Sequence, residues 1–230
     1  MIKAISFDLD HTLFDRYTTL RIVEREIRKH FDINPSLSDE EICEIMINTD
    51  RFFVHKGWDV LQYELINNTP LFRTKPGPTE YIDFIHSEFM KTAVPFSFTA
   101  PLLEKLKSDG YLLGLITNGT PKLQRKKIEM LKLEKYFDRI YIGGENEFAK
   151  PHTEPFTVVA ADLNVKPSEM LYVGDNPLND VEASRKAGCI PVFVNTTKTW
   201  VSPEIEKPKW CIDTVDELPE ILKKIDAADS

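Results

Sequence analysis

Cysteine is scarce in this chain, basic residues are outnumbered, and no apolar stretch is long. Three cysteines in 230 residues, Cys43, Cys189 and Cys211, make an odd number with no C-x-x-C spacing. They argue against both a disulfide framework and a cysteine-built zinc site. Lys and Arg number 29 against 37 Asp and Glu, a net charge of −8, so the chain has no electrostatic footprint for nucleic acid or an anionic membrane surface. No apolar run approaches the length that spans a bilayer, and no apolar region with a small-residue cleavage site follows Met1. The glycines form neither GxGxxG after a strand nor GxxxxGK[ST], which speaks against a dinucleotide fold or a P-loop. Repeats and low-complexity segments are missing as well. What these absences leave is a cytoplasmic globular protein, monomer or homodimer, with no nucleic-acid or membrane partner.

Hydrophobic residues make up 42% of the chain, enough to bury the core of one domain or of a domain with a modest insertion. The stretch from Ile5 to Asp15 opens as a buried strand and ends on two carboxylates, Asp8 and Asp10. Side chains two apart on a strand start out on one side. Two unit charges 4 Å apart repel by roughly 4 kcal/mol at an effective dielectric near 20, so such a pair shares a proton or holds a cation. A strand-end position favours the cation, because open α/β sheets bind ligands beyond the carboxyl ends of their strands. The plainer alternative is a solvated turn rich in Asp.

After Asp15 the pattern turns helical for some eighty residues. Leu20, Val23, Ile27 and Phe31 fall at helical spacing, Ser38 and Glu41 form a capping box, and further helices are read near 59–66 and from Pro78 to Phe89. Residues 15–94 are therefore expected to form a small α-helical bundle, hinged at 14–16 and 94–96. From Thr99 helices and strands alternate. Strands are predicted at 111–116, 139–142, 170–173 and 190–194, and helices near 101–108, 121–132, 154–163, 176–187 and 215–225. Alternation of this kind implies right-handed crossovers and a doubly wound parallel sheet built from residues 1–14 and 95–230.

Polar residues recur just past the predicted strand ends: Asp8 and Asp10, Thr117 and Asn118, Lys150, then Asp175 and Asp180. In a parallel sheet these ends share one edge, so acidic groups for a metal meet a hydroxyl, an amide and a lysine for an oxyanion. Thr117-Asn118-Gly119 leads into a helix N-terminus, which favours a phosphate. The run Arg125-Lys126-Lys127 reads as a solvated helix face.

Four motifs, in order, carry a resemblance: Asp8-Leu9-Asp10-His11-Thr12, Leu115-Ile116-Thr117-Asn118-Gly119, Lys150-Pro151, and Gly174-Asp175 running to Asn179-Asp180. The sequence resembles the haloacid dehalogenase superfamily, in the subfamily with a helical cap inserted after the first motif. The resemblance implies a Rossmann-like core and a phosphatase for a small-molecule phosphate ester. By it Asp8 is the nucleophile that becomes an aspartyl-phosphate, and Asp10 the general acid and base. Mg²⁺ is held by Asp8, the Asp10 carbonyl and Asp175, Asp180 acts behind them, and Thr117, Asn118 and Lys150 hold the phosphoryl group. Asp10 favours phosphoryl transfer over dehalogenation, since a halide leaving group needs no acid. A phosphomutase and a catalytically silent binding module are the alternatives. Phosphonate hydrolysis would need a cap lysine, and Lys29, Lys56, Lys75 and Lys91 read instead as surface residues. Phe52, Phe53, His55 and Trp58 either cover a substrate or pack the bundle. The second motif and the first motif's flank are most similar to the nucleotidase and acylneuraminate-phosphate phosphatase branches, which points mildly to a nucleoside monophosphate or sugar phosphate.

Overall fold

The computed structural model describes residues 1–196, 200 and 202–228, with the side chains of 55 and 228 left aside. The chain divides into two compact units, Met1–Asp15 with Pro95–Ser230, and Arg16–Val94.

The larger unit is a six-stranded sheet in the order β3-β2-β1-β4-β5-β6, every neighbouring pair parallel. Its strands are β1 (Ala4–Phe7), β2 (Leu112–Thr117), β3 (Arg139–Ile142), β4 (Met170–Gly174), β5 (Ile190–Val194) and β6 (Trp210–Ile212). All four residues of β1 are buried, as an apolar strand flanked on both sides and covered on both faces must be. The chain runs outward from β1 through β2 and β3, then returns to the other side of β1 for β4. That reversal is the topological switch point at which doubly wound sheets open a crevice past their strand ends. Phe7 pairs with Val173 across it, which brings Asp8 and Asp175, 167 positions apart in the chain, to neighbouring strand ends.

β6 is absent from the sequence-based expectation. Three residues on a sheet edge carry too short an apolar pattern to signal a strand. The predicted helix at 176–187 is also not one helix: a π-helical segment, Pro177–Glu182, precedes a single α-turn over Ala183–Lys186.

The smaller unit holds four helices, α1 (Arg16–His30), α2 (Asp39–Phe53), α3 (Trp58–Asn67) and α4 (Pro78–Thr92). Ser38 and Glu41 cap α2 reciprocally, satisfying two otherwise orphaned N–H groups. Leu20, Val23, Ile27, Ile42, Leu65, Ile85 and Phe89 form its core, each contributing about 1.5–3 kcal/mol by leaving water. An ion pair lies inside it: Arg16 Nη2 is 2.7 Å from Asp50 Oδ1, both side chains 3% exposed, and the guanidinium lies 4.8 Å from the Trp58 and Phe89 ring centroids. Among the described residues no helix is long and apolar enough to cross a membrane.

Candidate active site

The crevice is lined by the residues immediately beyond β1 and β4. Asp8 keeps strand pairing for one more residue, its N–H donating to Val173 O at 2.9 Å. On β4 the facing residue is Gly174, and a Cβ there would stand 2.4 Å from Asp180 Oδ2; only glycine lets the Asp180 carboxylate fold back over the strand end. The Asn176 N–H then donates to Asp180 Oδ2 at 2.9 Å. The result is a cluster in which Asp8, Asp175 and Asp180 each offer a carboxylate oxygen, all within 4.8 Å of one another.

A lysine answers two of them. Lys150 Nζ donates to Asp8 Oδ1 at 2.6 Å, Asp180 Oδ1 at 2.7 Å and the Tyr172 hydroxyl at 2.9 Å, which engages all three ammonium protons. Its backbone is pinned as well: Lys150 N–H donates to Asn118 Oδ1 at 3.0 Å, and Asn118 Nδ2 donates to Lys150 O at 2.7 Å. The Asn118 side chain, expected to hold a phosphoryl oxygen, fixes the Lys150 backbone through its oxygen and one of its two amide protons. Tyr172, fully buried on β4, donates to Ile116 O at 3.0 Å, with Asp180 Oδ1 3.2 Å away. Its role is hidden in an apolar strand run; the one available signal is that a buried tyrosine hydroxyl must find partners.

Burial dominates the electrostatics. It pushes Asp8 up to about 7, with Lys150 pulling down and Asp180 and Asp10 adding to the rise. Asp175 is raised well above the usual carboxylate range by burial, then by Asp180 and Asp8. For Lys150 burial opposes the charge, but Asp180 and Asp8 outweigh it and its pKa is raised. Three carboxylates around one ammonium form a site short of positive charge. Hard oxygen donors of this kind suit Mg²⁺; of the three, Asp180 has both oxygens engaged, Oδ1 accepting from Lys150 and Oδ2 from the Asn176 N–H.

Asp10 turns elsewhere. β1 ends at Phe7, so strand alternation does not extend to Asp10. Its oxygens meet Lys127 Nζ at 2.8 and 2.7 Å, and Gln124 Nε2 donates to Asp10 Oδ2 at 3.3 Å and to Thr117 Oγ1 at 2.6 Å. The reading of 125–127 as one solvated face is corrected here. On the helix that carries them, α6 (Pro121–Met130), which follows α5 (Thr99–Ser108) in the sheet unit, successive residues point some 100° apart and do not share a face. Arg125 and Lys126 face water and pair with Glu145 and Glu129, whereas Lys127 lies inward with Leu123, Gln124 and Ile128. His11 is buried in the intervening turn with φ 60°.

Within the helical unit Trp58 packs edge-on against His86 and Phe89, which is bundle packing, while Phe52 is 48% exposed. Phe53 is half-buried, and the His55 side chain lies outside the described residues.

The family description haloacid dehalogenase-like hydrolase matches residues 5–194. The chain belongs to the haloacid dehalogenase-like hydrolases. A glyceraldehyde 3-phosphate phosphatase of Methanocaldococcus jannaschii is 28% identical over 98% of this chain and 99% of its own. Pyrophosphatase PpaX of Bacillus mycoides is 30% identical over 64% of this chain and 68% of its own. Among solved structures, the magnesium-bound putative hydrolase YfnB of Bacillus subtilis aligns over 96% of this chain and 98% of its own, with a TM-score of 0.74 at 20% identity. L-2-haloacid dehalogenase of Xanthobacter autotrophicus aligns over 97% and 99%, with a TM-score of 0.68 at 19% identity. At such identities the structural likeness speaks for the fold alone. This haloacid dehalogenase-like hydrolase therefore shares its fold with phosphatases and dehalogenases alike, and its own side chains must separate the two.

Proposed function

We propose that the protein is a Mg²⁺-dependent phosphatase for a small phosphate monoester, working through an aspartyl-phosphate on Asp8. The observation that carries this reading is the cluster of Asp8, Asp175 and Asp180, with Lys150 bound to Asp8 and Asp180, and a further carboxylate, Asp10, two residues beyond Asp8. Asp8 and Asp175, with the Asp10 carbonyl, are the groups to hold the metal. Bound there, the cation offsets the negative charge of the ester so that an anionic carboxylate can approach it.

In the first half-reaction an Asp8 oxygen forms a bond to phosphorus as the bond to the leaving oxygen breaks, and Asp10 gives that oxygen a proton. In the second, Asp10 takes a proton from the water that attacks phosphorus, and the Asp8–phosphorus bond breaks. Lys150, the Thr117 hydroxyl and the backbone N–H groups of the 118–119 turn take up charge spreading over the phosphoryl oxygens. Asp180, Tyr172 and Asn118 keep Lys150 in place. A dehalogenase has no alkoxide to protonate, so a carboxyl group at position 10 favours the phosphatase. The relative named for glyceraldehyde 3-phosphate aligns over the helical unit as well as the sheet unit, which supports a small phosphorylated aldehyde or sugar as substrate.

The test is turnover of p-nitrophenyl phosphate with Mg²⁺, with excess EDTA, and by Asp8→Asn. Turnover is expected with Mg²⁺ only and is lost in the variant. Equal rates for wild type and Asp8→Asn would end the proposal.

A further inference from the structure

Asp10 is gripped by two residues of one helix that lie outside the four sequence motifs. Lys127 contacts both carboxylate oxygens, and Gln124 joins one of them to Thr117. A lysine on an exposed helix costs nothing to leave in water, as Lys126 shows; Lys127 instead has a side chain only 2% exposed. Burying an ammonium is expensive unless a carboxylate meets it, and the carboxylate it meets is not itself sealed in the core, since the Asp10 side chain keeps 26% of its surface. The fold also makes room for this arrangement. Gly119, at φ 123°, has no Cβ, and one placed there would come within 3.2 Å of the Gln124 chain.

We propose that Lys127 and Gln124 are positioning residues for Asp10. Rotation about the Cβ–Cγ bond of a carboxylate is otherwise broad and two-fold. An ammonium bridging both oxygens, with an amide on one, sets that angle and ties it to Thr117 and so to the end of β2. The oxygen that exchanges a proton with the leaving group is then placed before the ester arrives, and its ordering entropy is already met. This rests on the phosphatase reading above.

The assay compares kcat/KM for two esters, because that quantity covers only the steps up to phosphoenzyme formation. p-Nitrophenyl phosphate departs without a proton, whereas phenyl phosphate needs one. Lys127→Met is expected to lower kcat/KM for phenyl phosphate about tenfold more than for p-nitrophenyl phosphate, a fraction of the 10²–10⁴ that a placed acid contributes. Gln124→Leu gives a smaller bias of the same sign. It carries the comparison alone if circular dichroism and melting show that Lys127→Met does not fold. Equal losses on both esters in a folded variant, or no loss on either, overturn the inference and leave the phosphatase reading standing. Failure of the wild type to turn over either ester with Mg²⁺ removes both.

Discussion

Magnesium should raise the melting temperature of this protein, and Asp175 should decide whether it does. At the 4.8 Å limit of the Asp8, Asp175 and Asp180 cluster, each ionised pair repels by about 3.5 kcal/mol at an effective dielectric near 20. Lys150 contacts Asp8 and Asp180, and Asp175 is the carboxylate its ammonium does not touch. A cation at one hundred times its Kd adds about 2.7 kcal/mol, which for a chain of this size moves Tm by roughly 5–10 °C. Asp175→Asn removes a ligand and a repelling charge together. Without metal the variant is therefore expected to melt at or above wild type, while its Mg²⁺ shift disappears. The pH dependence has a fixed sign. A carboxyl group whose folded pKa lies above its unfolded one binds more protons when folded, so metal-free stability falls as pH rises from 3.8, the ordinary Asp value, to about 7, where burial has pushed Asp8. Over the same range protons leave the ligands and the Mg²⁺ shift grows. The measurement is thermal unfolding by circular dichroism, with and without millimolar Mg²⁺, between pH 5 and 8. An undiminished Mg²⁺ shift in Asp175→Asn, or none in wild type, would refute the assignment.

Two other predictions concern the surroundings of the cluster and the helical unit. Tyr172→Phe keeps the buried ring but takes one acceptor from Lys150 and one donor from Ile116 O; a loss of about 1–3 kcal/mol in urea unfolding is expected, together with a lower kcat, and unchanged values for both would deny Tyr172 its part. In the helical unit, Asp50→Ala leaves Arg16 buried without its carboxylate, at a cost of about 3–5 kcal/mol. Hydrogen exchange should show the loosening within 16–94, and wild-type protection there would contradict it.

Much of this site is legible in the amino-acid sequence. The motif carboxylates Asp8, Asp175 and Asp180 meet at one place with Lys150, because β1 and β4 are neighbours at the switch point of the sheet. Three features are not legible there. β6 is a strand only because β5 pairs with it, and Trp-Cys-Ile alone has no strand periodicity. Asn118 reads as a donor to a phosphate, yet its amide turns to the Lys150 backbone, a choice between equally good polar partners that local sequence does not make. Lys127 reads as one of three surface cations, and its direction follows from which side of α6 meets the sheet.

Residue order alone determined most of the strands and helices and which chemical groups stand at the strand ends, since both depend on spacing along the chain; β6 and the π-helical segment Pro177–Glu182 are the exceptions. The tertiary structure decided which charge faces which. The sequence sets Lys150 apart by its motif, but only the packing of the chain brings it to Asp8 and Asp180 and turns Lys127 to Asp10. Ion pairing depends on separations of a few ångströms between residues 30 to 142 positions apart, and these distances exist only once the sheet has formed.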